Sequence, residues 1–191
     1  MRAVVVYESM YGNTHHVANA IATGLGLGLS VESDIVVLPV NAAIREAIEG
    51  TDLLVVGGPT HAHGMSRPST RQSAVESAHK PNAGLELDPD AEGPGIRDWF
   101  ESFDGFEGRA AAFDTRTDAP ALLTGRASKG IARQLRHHGA ALIAEPESFL
   151  VTKDNHLEPG EEERARNWGS DLTRLVVEGA PAPAGVRSPD R

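Results

Sequence analysis

Six consecutive residues, Ser9-Met10-Tyr11-Gly12-Asn13-Thr14, stand directly after an apolar run and directly before a segment of helical period. Their types suit one task, binding an anion without a cation. Ser9, Asn13 and Thr14 carry donors on short side chains, and Gly12 lets the backbone pass close to a ligand. A helix starting here adds its unpaired first-turn N–H groups and the positive end of its macrodipole, about half an elementary charge. No Lys or Arg lies in the loop, so neutral donors would hold the anion. On composition alone, a plain βα turn capped by Asn or Thr accounts for the loop equally well.

The elements that must position this loop follow from periodicity. Ala3–Tyr7, Ile35–Leu38, Leu53–Val56, Ala110–Phe113 and an interrupted Ala140–Ala144 with Ser148–Val151 are continuously apolar. Such runs predict strands buried on both faces, the mark of a parallel sheet covered by helices. Between them the spacing changes to three and four. Val17, Ala18, Ile21, Ala22 and Leu25 predict one helix, Ala42–Ile48 a shorter one, Ile96 to Phe103 a third, and Ala127 to Leu135 a fourth stopped by Gly139. Pro159 and Glu161–Glu163 favour the start of a last helix lined by Ala165, Trp168, Leu172, Leu175 and Val176. Strands alternating with helices imply right-handed βαβ units, hence a doubly wound three-layer α/β sandwich.

Residues 1–179 form one expected domain with an insertion at about 65–95, longer than an ordinary connection. Within it Ser69-x-x-Gln72 has the pattern of a capping box opening a short helix through Ala78. Residues 180–191 are a Pro-rich tail expected to be flexible.

The loop also carries a resemblance. Val5-Val6-Tyr7-x-Ser9-x-x-Gly12-x-Thr14-x-x-x-Ala18-x-x-Ile21 resembles the phosphate-loop pattern of the flavodoxin family, and the string SMYGNT is similar to flavodoxin-like domains of flavodiiron proteins and quinone reductases. The resemblance implies a five-stranded parallel sheet of order 2-1-3-4-5 with FMN at the switch point between strands one and three. It also implies that Ser9 to Thr14 hold the phosphate. Pro59, Thr60, His61, Ala62, His63 and Gly64 would then pass along the flavin ring, while Asp114, Thr115 and Arg116 reach its pyrimidine side. The family commonly sandwiches the ring between aromatic side chains, yet this sequence has no Phe, Tyr or Trp from 60 to 98 or from 114 to 148. Only His61, His63 and Tyr11 are placed to stack.

Composition narrows the function classes. The chain of 191 residues has no Cys, which excludes disulfides, thiolate metal sites and a Cys nucleophile. A net charge of -9 argues against nucleic acid as the main partner. No apolar run is long enough for a membrane span or a signal peptide, so the expected location is the cytoplasm. Gly24-Leu25-Gly26-Leu27-Gly28 ends a helix instead of following a strand, so it reads as a flexible helix terminus and not a dinucleotide fingerprint. His61-x-His63 lacks the further ligands a metal needs, and His15-His16 and His137-His138 are expected to be solvated. Residues 76–107 hold nine acids and two bases, seven of the nine net negative charges. Beside a flavin, that region would steer a basic redox partner, a reductase or an acceptor. As a bare acidic insertion it would only aid solubility.

Three functions remain open at this level. One is an FMN-binding electron carrier. Another is an NAD(P)H-dependent quinone or flavin oxidoreductase, with Arg67 and Arg71 receiving the nicotinamide phosphate. The third is a flavin-free binding module of the same fold.

Overall fold

The structure, a computed structural model, describes residues 1–27 and 33–179. Gly28 and the tail from Ala180 lie outside the described residues. The elements run β1 (Arg2–Tyr7), α1 (Asn13–Leu27), β2 (Asp34–Pro39), α2 (Arg45–Ile48), β3 (Leu53–His61), β4 (Gly64–Met65), α3 (Pro68–Ala78) and α4 (Ile96–Glu101). They continue with β5 (Arg109–Thr117), α5 (Ala121–Thr124), α6 (Ala127–His137), β6 (Ala141–Leu142), β7 (Glu147–Val151) and α7 (Glu161–Val177).

The parallel sheet has the order β2-β1-β3-β5-β6, which is 2-1-3-4-5 counted by position. Its fifth position is broken. β6 pairs with the start of β5 (Arg109↔Ala141) and β7 with its end (Phe113↔Glu147 to Thr117↔Val151). Pro146 lies in the break, where a missing N–H interrupts a ladder most easily.

The apolar runs of β1, β3 and β5 are buried on both faces because successive side chains alternate, whereas Ile35–Leu38 of the edge strand β2 are only partly covered. Val4 and Val6 join Leu54, Val56, Ala110 and Ala112 under α4 and α6, packed by Trp99, Phe100, Ile131 and Leu135. Ala3, Val5 and Tyr7 face the other way, under Val17, Ile21 and Leu25 of α1 and Leu172 and Val176 of α7. A fully buried aliphatic side chain contributes about 1.5–3 kcal/mol, so these two cores hold the sandwich.

Several expectations change in detail. β3 and β5 run to His61 and Thr117, well past their apolar runs, because Gly58↔Asp114 and Pro59↔Thr115 keep the register. The segments expected to be loops at 57–61 and 114–117 are therefore strand ends. The second helix shrinks to one turn, Arg45–Ile48. α3 opens at Pro68, not Ser69, since proline's fixed φ suits the first helical position. Thr70 Oγ1, not Gln72, accepts the Arg67 N–H (2.9 Å), and Gln72 bonds Glu76 instead.

Gly24 and Gly169 are a contact and not a flexible terminus. A Cβ on Gly24 would overlap the Arg166 carbonyl oxygen, and one on Gly169 the Ile21 carbonyl oxygen. The two glycines let α1 and α7 cross at backbone distance.

Candidate functional site

The β1–α1 loop sits at the carboxyl end of the sheet, between the crossovers that leave β1 and β3 on opposite sides. Gly12 takes a left-handed φ of +87°, and no atom lies within 4 Å of where its Cβ would be. Open space therefore faces the loop. Its N–H donates to Ser9 Oγ (3.1 Å), which leaves the Ser9 hydroxyl proton free to donate outward. Thr14 Oγ1 lies 2.7 Å from Thr115 Oγ1, so one proton closes the pair and the other stays available. The N–H groups of Asn13, Thr14 and His15 have no acceptor among the described residues. These donors gather at the start of α1 with no charged side chain from their own loop, and their chemistry fits a phosphate.

Asn13 departs from this pattern. Its Nδ2 donates to the Asn155 carbonyl oxygen (2.9 Å) and to Asn155 Oδ1 (3.1 Å), which ties α1 to the loop after β7. Asn155 has no spacing signal that could have revealed this role.

The insertion lies over the same loop. Met10 is buried against Ala74 and Ala91, with Tyr11, Val75 and Leu87 around them. Tyr11 donates its hydroxyl to the Ala74 carbonyl (2.8 Å), so its side chain is tied to the insertion. The Asp88 N–H donates to the Met10 carbonyl (2.9 Å), and its carboxylate meets His15 Nδ1 at 3.1 Å. His15 also stacks on Tyr7 (4.4 Å between centroids) and is not solvated as expected. Burial and the nearby Asp88 and Asp90 carboxylates push the Tyr7 phenol up to about 12. His138 likewise stacks on Phe100 and is not free.

The segment after β3 turns tightly. Ala62 (φ 43°) and His63 (φ 74°) are the two central residues of a hairpin from His61 to Gly64, both left-handed. Non-glycine residues there cost about 1–3 kcal/mol each and persist only where surroundings hold them. The holder is Gly125, which bridges His63 and where a Cβ would overlap the His63 backbone. Burial and the Arg71 charge lower the His61 imidazole pKa, which favours its neutral form. Replacing Ala62-His63 by Asn-Gly should raise stability by about 1 kcal/mol, read in a urea titration, because that pair adopts this turn without strain. An unchanged midpoint would mean that the turn stores no strain.

Other candidates serve the frame. Thr60 Oγ1 accepts the Ala127 N–H (2.9 Å) and Asp114 Oδ2 the Ser128 N–H (2.7 Å), so β3 and β5 together cap α6. Arg116 donates to the Ala119 carbonyl (2.6 Å), closing the turn after β5. Pro59 is half-buried in the ladder beside Thr115. Arg71 is buried between Ser66 and Asp98, which removes it as a phosphate receiver for a nicotinamide cofactor.

Glu8, which no sequence pattern singled out, mirrors Asp114. Its Oε2 accepts the Ile96 N–H at the start of α4 (2.9 Å), while its Oε1, like Asp114 Oδ1, is buried without a partner among the described residues. Desolvation raises both carboxyl pKa values, only partly countered by the hydrogen bonds they accept. A raised folded-state pKa gives stability that is complete below the unfolded value, near 4, and is lost as pH rises through the folded one. Glu8→Gln should therefore flatten the fall in melting temperature above about pH 4 and stabilise the protein at neutral pH. An unchanged slope would place the Glu8 carboxyl in contact with water.

No protein-family model matches the sequence, and no curated protein matches it. Solved structures do. A flavodoxin from the domain Archaea superimposes with a TM-score of 0.62 at 20% identity, over 93% of this chain and 99% of that one. Flavodoxin 1 from Bacillus cereus gives 0.59 at 20%, over 95% and 100%. The flavodiiron protein from Giardia intestinalis gives 0.57 at 21%, over 93% of this chain but 36% of that longer one. The chain has the flavodoxin-like fold, an α/β sandwich with a parallel sheet of order 2-1-3-4-5. Among the described residues no helix is long and apolar enough to cross a membrane.

Proposed function

We propose that the protein binds FMN and carries electrons. The observation behind this reading is the set of outward donors at the switch point: Ser9, the Thr14–Thr115 pair and the amides of Asn13, Thr14 and His15. These groups would hold the phosphate. The ring would lie toward the His61–Gly64 hairpin, with His61 and exposed His63 in place of the usual aromatics. When bound, FMN supplies the redox chemistry, and the protein contributes binding, exposure and electrostatics. An imidazole buries less apolar area than an indole or phenol, so ring affinity should be modest.

The partner we propose is a basic protein, met in the cytoplasm. Glu76, Glu86, Glu92, Glu101, Asp104 and Glu107 are exposed, so much of the acidity at 76–107 faces outward. Asp88 and Asp98 are committed to His15 and Arg71 and take no part in it. Association would slow as salt rises.

The deciding measurement is a visible spectrum of purified protein, followed by FMN titration of any colourless fraction. A yellow protein that releases FMN on denaturation agrees with the proposal. One observation favours a second reading, a flavin-free module: the expected ring side carries imidazoles and no Phe, Tyr or Trp. Colourless protein that ignores added FMN selects that module.

A further inference from the structure

The connection from β2 to β3 forms one helical turn, where a parallel crossover usually builds a full helix. The space left over is a cavity of about 680 Å³ between that connection and the α4–β5 segment. This is the size that takes a small organic ligand. Val40 and Ile48 line one side, and Trp99, Phe103 and Phe106 the other. The Trp99 and Phe103 rings stack at 4.4 Å, and the Trp99 indole N–H donates to the Ala43 carbonyl (2.7 Å), which fixes the aromatic wall. Ile44 stands at the edge, 58% exposed, an apolar side chain left uncovered.

The rim has a sign. Arg45 is bonded to Asp104 (3.0 Å), and Asp98 is paired with Arg71. Glu49 and Glu107 also line the cavity, both exposed and without a cationic partner among the described residues. An anion would meet those two carboxylates at close range, whereas a cation would be held by them and by the faces of Trp99 and Phe103. We propose that this cavity is a binding site for a small aromatic cation, an arylalkylammonium ion. The proposal is independent of the FMN reading, because no residue is shared with the β1–α1 site.

Charge-matched probes on one core test it with the full chain. They are 4-phenylbenzylamine, 4-phenylbenzyl alcohol and biphenyl-4-carboxylate. Only two tryptophans exist, and Trp168 belongs to the opposite core, so Trp168→Phe leaves Trp99 as the single reporter. Saturable change in Trp99 fluorescence and calorimetric heat are expected for the amine, with the carboxylate about tenfold or more weaker and the alcohol between. Glu49→Gln with Glu107→Gln should cut the amine's advantage to roughly twofold, and Ser102→Trp, at an exposed lining position, should block all three. The idea is overturned if no probe binds, if the carboxylate binds as well as the amine, or if the folded double variant keeps its preference.

Discussion

Thr14→Ala is expected to weaken FMN binding about ten- to a hundred-fold, since a hydrogen bond to a charged group is worth roughly 1.5–3 kcal/mol. The Thr14 residue is buried and its hydroxyl makes one hydrogen bond among the described residues, to Thr115 Oγ1, so the pair has a single spare proton to give. Thr115 Oγ1 holds the Thr14 hydroxyl in place, so removing either group loses the same oriented donor. Thr115→Ala should therefore weaken binding in the same direction, and the double variant should lose less than the sum, as coupled partners do. Ser9→Ala removes an independent donor and should add fully. Thr23→Ala, whose hydroxyl bonds the Asn19 carbonyl further along the same helix, is the control. Fluorescence titration of FMN reads all five. Wild-type affinity in both Thr14→Ala and Ser9→Ala would move the phosphate elsewhere.

The largest structural effect is expected at the α1–α7 crossing. Alanine favours a helix over glycine by about 1 kcal/mol, so Gly169→Ala and Gly24→Ala would stabilise isolated helices. Here each new methyl meets a backbone carbonyl, which cannot rotate away as a side chain would. Overpacking of this kind reaches about 3 kcal/mol, enough to reverse the sign. For a chain of this size a net loss of 2 kcal/mol lowers the melting temperature by about 4–8 °C. Gly26→Ala provides the contrast. Its Cβ would sit 3.6 Å from Ile35 Cδ1, an ordinary contact, so it should stabilise. Calorimetry that shows Gly169→Ala as stable as the parent would mean the helices are free to separate.

The glycines at 24 and 26 are the same residue type in the same helix, on opposite flanks of its apolar stripe, about 200° apart. What separates them is the position of α7, far along the chain. The same holds for Thr60 and Asp114, which the flavodoxin resemblance assigns to the cofactor and which the structure uses to cap α6. A cap contributed from another strand has no local pattern, because α6 itself begins at Arg126-Ala127 without a capping side chain. Glu8 escaped notice for a similar reason. It reads as one acid in a polar loop, and only the arrival of α4 makes it a buried cap.

The sequence alone determined the strands, the two-faced burial of β1, β3 and β5, and the helices between them, because side-chain period is written locally. The sheet order 2-1-3-4-5 came from the flavodoxin resemblance of the Val5–Ile21 stretch and not from period. Tertiary structure decided that Asn13 is spent on Asn155, that Tyr11 and His15 turn to the insertion, and that Asp88 lies against the loop. Each of those outcomes depends on two segments meeting in space, and hydrogen bonds of a few ångströms reach cannot be inferred from either partner by itself.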